Sequence, residues 1–449
     1  MIRYPRSAIA IICIGSCLFL LARCVGNDSG KQAANGTGTA DSGRQAANTP
    51  SAPEAPSVTR DQFAGSESCA HCHKKIFESH IHTAHYLTTR PASEKYIKGS
   101  FHPGRNSFAY DSGMVVVMEK RDSGLFQVGY YKGVEKIARR FDIVVGSGSK
   151  GQTYIYRSDN WLFQLPVSYF TAANEWANSP LFPTHPVVFN RSVTSRCLEC
   201  HTTFAQKISP SRVEREEFDH DQIIYGVDCE KCHGPAAKHV EFQSQNPAVK
   251  TAKYIIDPAH FSRQQTLDLC GLCHGGRLRK TKASFTFTAG DKLSDYFAID
   301  PTTPDPTNID VHGNQYGLLR SSKCFQMSEM TCVTCHNSHE NERGKIGLFS
   351  QRCMTCHGTA HAGETAHGTV TPAPSCKMTA AIGPSITKNC ISCHMPLQAS
   401  RSIRELLPGA SSPTAAMIRS HYIKIYPDET KTYLSQLGKP GGAKPENKR

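Results

Sequence analysis

The apolar residues of this chain are distributed in three different ways. Ser7 to Ala22 form an almost unbroken apolar run of 16 residues behind Arg3 and Arg6. A basic start followed by a short apolar run is the pattern of an export signal, and it falls short of the roughly 20 apolar residues that a membrane span needs. Residues 25 to about 60 then carry almost no large apolar side chain, so they cannot bury a core and are expected to be a disordered spacer. Ser29–Asn35 recurs there as Ser42–Asn48 with one Lys-to-Arg change. Between residues 107 and about 176 apolar and polar positions alternate as in half-buried strands. Met114–Met118 and Leu125–Tyr131 flank a polar turn at Ser123-Gly124, and Phe141–Val145, Gln152–Tyr156 and Trp161–Leu165 continue the pattern past a turn at Asp159-Asn160. The pattern predicts strands joined as hairpins. Elsewhere the periodicity is short: Phe77–Tyr86, Glu214–Phe218, Ile403–Leu407 and Met417–Ile425 read as local helical turns.

Gly146-x-Gly148-x-x-Gly151 matches a dinucleotide-binding fingerprint by letter. Such a loop must open a helix, whereas the residues from Gln152 onward are β-branched and aromatic, so the context supports a glycine-rich hairpin loop.

The cysteines change the picture. The unit Cys-x-x-Cys-His occurs seven times, as Cys69/Cys72/His73, Cys197/Cys200/His201, Cys229/Cys232/His233, Cys270/Cys273/His274, Cys332/Cys335/His336, Cys353/Cys356/His357 and Cys390/Cys393/His394. These absorb fourteen of the 19 cysteines. Two thiols three residues apart can each form a thioether to one edge of a porphyrin, and the next imidazole then falls under the iron as its axial ligand. A single copy would also fit a zinc half-site or a redox pair, but neither needs a histidine after every second cysteine in seven copies. The motifs therefore predict seven covalently attached haem c groups. Haem attachment to thiols agrees with export.

These features predict a signal peptide over 1–24, a linker over 25–62, a first haem segment over 63–106, a β-rich insertion over 107–176, a body with six haems over 177–437 and a basic tail over 438–449. Cys24 or Cys17 would carry a lipid if the signal is of the lipoprotein type, tethering the protein to a membrane; otherwise both are ordinary residues of a cleaved signal. Only 39% of the chain is hydrophobic and it holds two Trp, which is lean for a body of this size. Porphyrin plates would supply the missing core. The expected fold class is accordingly mainly α and irregular, haem-cored, with a small antiparallel β hairpin segment. The formal charge of +13 is offset by the haem propionates, so the basic balance does not indicate nucleic acid.

The flanks of the motifs carry a resemblance. Gly65–His73, Leu165–Tyr169, Arg196–His201, Cys229–Pro235, Cys332–His339 and Cys390–Pro396 are similar to the corresponding stretches of exported multihaem cytochromes related to the tetrahaem and octahaem proteins of the hydroxylamine-oxidoreductase and tetrathionate-reductase group. The resemblance implies electron transfer between redox partner proteins in the periplasm or at the cell surface, with reduction of a small nitrogen or sulfur oxyanion as the alternative. It also implies distal iron ligands at His85, His239, His339, His367 (with His361 as a rival) and His421. His80 stands where the family usually has Trp, and no Cys-x-x-Cys-Lys motif is present. Seven of the 21 histidines stand in the motifs, which leaves fourteen for seven irons. Cys324 and Cys376 are left over, as a disulfide or as two free thiols.

Overall fold

A computed structural model describes residues 58–208, 215–299, 305–358 and 376–437. The signal segment, most of the linker, the basic tail, His361 and His367 lie outside these residues.

Alternation becomes pairing in the β region. Ser107–Ala109, Met114–Arg121, Gly124–Tyr131 and Val134–Arg140 form a four-stranded antiparallel sheet in chain order. A second sheet of seven strands runs from Thr89–Pro91 through Ile143–Val145, Gly151–Ser158 and Trp161–Gln164 to Arg191–Ser192. Val167–Phe170 joins it through Gly151–Ser158 and pairs in turn with Glu175–Asn178. Residues on both sides of 107–176 thus contribute strands.

Apolar side chains from both sheets meet in one core that includes Phe108, Met118, Tyr154, Leu165 and Trp176. Gln127, completely buried, links the sheets as a second backbone would. Its Nε2 donates to the Val167 carbonyl at 2.6 Å, and its Oε1 accepts from the Val167 amide at 3.1 Å. Gly99 is required by a close approach, since a Cβ there would stand 2.1 Å from the buried Trp176 ring. The Gly146–Gly151 stretch is a hairpin loop, with Gly146 at φ +103° and Gly148 at φ +79°, and it leads into a strand rather than a helix.

The expected fold class needs correction: the chain is not mainly α. It is about 32% helix and 26% strand, with several antiparallel sheets. Ile403–Leu407 and Met417–Ile425, expected as helical turns, instead begin in the paired strands Leu397–Glu405 and Thr414–Arg419, with Gln398 opposite Ile418. Phe218 opens the strand Phe218–Tyr225, which pairs with Thr202–Lys207. In each case cross-strand pairing outweighs a weak local helical preference. Many of the helices are short, and attachment of a porphyrin requires only one turn.

Candidate cofactor centre

Six of the seven motifs are helical turns, within Ser66–His80, Ser195–His201, Cys229–His233, Arg263–His274, Ile346–His357 and Cys390–His394. The seventh begins on the 3₁₀ turn Cys332–Thr334. Helical spacing puts the two cysteines and the histidine of a motif on one face. Five of the helices end on the motif histidine, and in Ser66–His80 the backbone breaks at His73 (φ −109°, ψ 36°). Gly234, Gly275 and Gly358 follow three of these histidines and stop the helix.

The motifs touch one another in an order that is not their order in the chain. Four pairs of thiols from different motifs lie close enough to shift each other's pKa: Cys69 with Cys229, Cys200 with Cys273, Cys270 with Cys332, and Cys353 with Cys390. In each pair one thiol, Cys69, Cys200, Cys332 or Cys390, is lowered by its partner, and the other is raised. Polar ties reinforce these contacts. Glu230, in the third motif, accepts from the Ala64 and Gly65 amides at 2.8 and 2.9 Å, at the start of the first motif's helix. Arg196 Nη2 donates to the Leu272 carbonyl at 2.9 Å, linking the second motif to the fourth. Arg352 Nη1 donates to the Cys335 carbonyl at 2.6 Å, linking the sixth to the fifth, and the Cys390 amide donates to Ser350 Oγ at 3.0 Å, linking the seventh to the sixth. Cys232 lies near enough to Cys270 to raise its thiol pKa, which brings the third motif against the fourth.

The histidines form pairs as well. Ring centroids are 6.2 Å apart for His233 and His339, 6.1 Å for His336 and His421, and 6.2 Å for His85 and His274, with interplanar angles of 20°, 27° and 58°. Each pair joins a motif histidine to one of the expected distal residues. Two imidazoles on opposite sides of one metal need a separation of about 6 Å, since each metal–nitrogen bond is about 2 Å and the nitrogen lies about 1 Å from its ring centre. His233, His239 and His394 donate Nδ1–H to the carbonyls of Ile256, Lys253 and Lys424 at 2.9, 2.8 and 2.9 Å. A carbonyl only accepts, so the proton is on Nδ1 and the Nε2 lone pair is free for a metal. His201 Nδ1 is 3.1 Å from Thr88 Oγ1, and His274 Nδ1 is 3.0 Å from Gln315 Oε1. Burial pushes His201 and His421 down to about 4, and it does the same to His85, which opens onto a cavity but lies deep in the fold beside His274. His274, His336 and His339 are lowered for the same first cause. All are held neutral, the form that ligates metal.

A cavity of about 2020 Å³ runs among these groups. Its wall includes His73, His201, His233, His274 and His336 from five motifs, with His85, His239 and His339 among the expected distal residues. This volume exceeds the roughly 300–1,000 Å³ of an ordinary small-molecule pocket. Among the described residues no group of three or more His, Cys, Asp or Glu converges as a zinc site would require. Paired thiols, paired imidazoles and an oversized cavity fit several large planar cofactors.

The motif cysteines, alike in sequence, are not alike in their surroundings, and Cys356 stands apart. It is exposed, it stands off the cavity wall together with the rest of the sixth and seventh motifs, and none of the four thiol pairs includes it. Cys356 Sγ is 4.0 Å from Thr355 Oγ1, and its neighbours among the thiols are Cys324 and Cys335. Cys72 and Cys197 are exposed too, Cys72 at the rim of the cavity and Cys197 with its sulfur 3.4 Å from Thr194 Oγ1.

Cys324 and Cys376 are both half-buried free thiols, one near Cys335 and the other near Cys393. Three further groups stand in the centre beside the ligands that the resemblance implies. His80 is buried with neither ring nitrogen hydrogen-bonded, its Nε2 3.7 Å from Asp228 Oδ1. His312 lines the cavity and its Nδ1 is 3.2 Å from Ser402 Oγ. Glu405 is a buried carboxyl on the same wall. None of them has a signal in its own neighbourhood of the sequence.

Residues 184–234 match the family described as cytochrome c554 and c-prime. Over 177 residues the chain is 24% identical to the multiheme cytochrome MtrA of Shewanella baltica (strain OS185), an overlap of 36% of this chain and 51% of that protein. The chain thus spans about half the length of that curated relative. Its fold is similar to the crystal structure of the outer cell wall cytochrome OcwA, with a TM-score of 0.50 and 17% identity, covering 83% of this chain and 81% of that one. Together these likenesses support a multihaem cytochrome, with covalently held haem c as the implied cofactor.

Proposed function

We infer that this chain is an exported heptahaem c-type cytochrome whose work is electron transfer. The observation that carries this reading is the unbroken series of contacts between attachment motifs. Haem c supplies one-electron redox chemistry, and the polypeptide's part is to hold the groups close, fix their axial ligands and exclude water. His85, His339 and His421, each facing a motif imidazole, are the proposed distal ligands to the fourth, third and fifth haems, and His239 is a further distal ligand. His367, or His361, would serve a haem of the later motifs. The exposed thiols of Cys72, Cys197 and Cys356 would hold edges of their haems that face solvent, where a redox partner can approach. A bis-histidine iron has no open position and passes electrons without binding substrate.

The proposed organisation keeps an export signal and spacer ahead of the haem-bearing body, with a β-rich insertion between the first haem segment and the rest. Among the described residues no helix is long and apolar enough to cross a membrane. The relationship to the hydroxylamine-oxidoreductase and tetrathionate-reductase group rests on the motif flanks. We place the protein in the periplasm or at the cell surface, where it meets redox partner proteins. A lipid on Cys24 or Cys17 would hold it at a membrane; in that case, replacing both with Ser releases it from the membrane fraction.

Two measurements test the reading. Intact mass with a pyridine haemochrome assay should show an increment of seven haem masses, and a smaller increment would leave a motif unused. Electron paramagnetic resonance of the ferric protein should show low-spin iron throughout. A stoichiometric high-spin signal that shifts on adding nitrite or hydroxylamine would replace the carrier with a reductase of a small oxyanion.

A further inference from the structure

We propose that Glu405 binds a proton when a cofactor of the cavity is reduced and releases it on oxidation, so that electron transfer in this part of the molecule is proton-coupled. The proposal rests on the electron-transfer reading above.

Glu405 ends the strand Leu397–Glu405 and, with Ile403 two residues earlier on the same face, forms part of the cavity wall. It is 3% exposed, and Oε2 is buried without a hydrogen-bond partner. Its Oε1 is crowded by backbone, since a Cβ on Gly151 would lie 3.2 Å from it. The groups packed around it do not supply a compensating charge. Tyr154, on the strand Gly151–Ser158 of the seven-stranded sheet, has its hydroxyl committed to Gln152 Oε1 at 3.1 Å, and Tyr169 has its own committed to Asn174 Oδ1 at 2.5 Å. Thr414, opposite Glu405 in the paired strand, is uncharged. Lys150 shares the cavity wall but has a partner of its own, and the neighbouring Arg404 is exposed.

The other carboxylates near the motifs behave differently. Glu230 accepts from the Ala64, Gly65 and Ala236 amides, and Asp228 accepts from the Cys229 amide at 2.7 Å. Donors hold both in the charged form. Glu405 has none, and burial pushes its pKa up to about 8. A carboxyl poised there answers to small changes in nearby charge. Ferric iron in the cavity favours the carboxylate, and adding an electron removes one positive charge and favours the acid. The balance is simple: one electron arrives from the redox partner or an electrode, one proton arrives from water onto Glu405, and no other bond forms or breaks.

Spectroelectrochemical titration of the full holoprotein between about pH 6 and 10 reads this directly. One midpoint potential of the wild type should fall as pH rises, by up to about 59 mV per unit for one proton per electron. Proton uptake on reduction, followed with an indicator dye in weak buffer, should be about one greater than in Glu405→Gln. Glu405→Asp, which keeps the carboxyl, should retain the uptake with a displaced pH midpoint. Equal uptake and equal slopes in wild type and Glu405→Gln would overturn the proposal, because haem propionates would then account for all the pH dependence. If Glu405→Gln does not fold, reduced-minus-oxidised infrared spectra of the wild type and Glu405→Asp decide the matter. A protonated-carboxyl band that grows on reduction and moves in the Asp variant supports it, and an unmoved or absent band overturns it. Loss of low-spin ferric iron in the unaltered protein would instead count against the carrier reading on which the proposal stands.

Discussion

At the scale of single residues, the pairing of imidazoles makes the most direct prediction. His339 and His421 each stand about 6 Å from a motif imidazole, and each is lowered in pKa by burial, so neither is held as a cation. His339 is also fixed through its backbone, since Ser79 Oγ donates to its carbonyl at 2.8 Å. Removing either ring leaves a cavity but touches no thioether position. His339→Ala and His421→Ala should therefore each convert about one haem from low-spin to high-spin, read by electron paramagnetic resonance, with the mass increment unchanged. A low-spin spectrum identical to wild type would remove the residue from the ligand set. These two histidines were legible in sequence only through the resemblance that the motif flanks carry. His80, His312 and Glu405 were not, because what gives them meaning is the wall of a cavity assembled from segments far apart in the chain. The exposure of Cys356 was equally hidden, since its motif reads the same as the other six.

At the scale of elements, helices too short to stand alone are held by polar ties between motifs. A five-residue helix such as Cys229–His233 has too few internal hydrogen bonds to be stable by itself. Arg352, on Ile346–His357, shows how such pieces are fixed. It binds the Cys335 carbonyl and pairs with Glu342 at 2.5 Å, while Glu342 also accepts from the Asn337 amide at 3.0 Å. Glu342 is buried, and Arg352 beside it holds its carboxyl below the usual range. A carboxylate lowered in the folded state stabilises it above the unfolded pKa, and this contribution is lost as pH falls through the folded value. Glu342→Gln should cost about 1–3 kcal/mol near neutral pH, as expected when buried hydrogen-bonding groups lose their partner. The difference from wild type should shrink in acid, where wild-type Glu342 is protonated too. Denaturant unfolding at the two pH values checks this, and a pH-independent difference would contradict it. The hairpins over 107–176 could be read from alternation, whereas Leu397–Glu405 and Thr414–Arg419 could not, because Ile403 to Leu407 and Met417 to Ile425 resemble helix locally and only the pairing between them makes strand.

At the scale of the whole molecule, the sequence reveals the attachment motifs but not their neighbours. In space the first motif meets the third, the third comes near the fourth, and the fourth continues through the fifth and sixth to the seventh, while the second joins at the fourth and, through Thr203, at the start of the third. Contacts such as Glu230 to Gly65 span most of the β region, and no local spacing encodes them. The fourth motif is thus a junction. Cys273 meets the second motif, and Cys270 meets the fifth and lies near Cys232 of the third. Replacing Cys270 and Cys273 together with Ala should leave six haem masses and weaken the path between two arms, first through third and fifth through seventh, which then meet through the His233–His339 pair. After rapid photochemical injection of one electron per molecule, wild type should redistribute it in a single fast phase. The junction variant should show an added phase at least about tenfold slower, corresponding to a barrier higher by about 1.4 kcal/mol. Replacing Cys390 and Cys393, at an end of the series, should also remove one haem mass yet add no such phase. An unchanged single phase in the junction variant, with six haems retained, would mean that the arms touch elsewhere and that the order of contacts is not the order of electron flow.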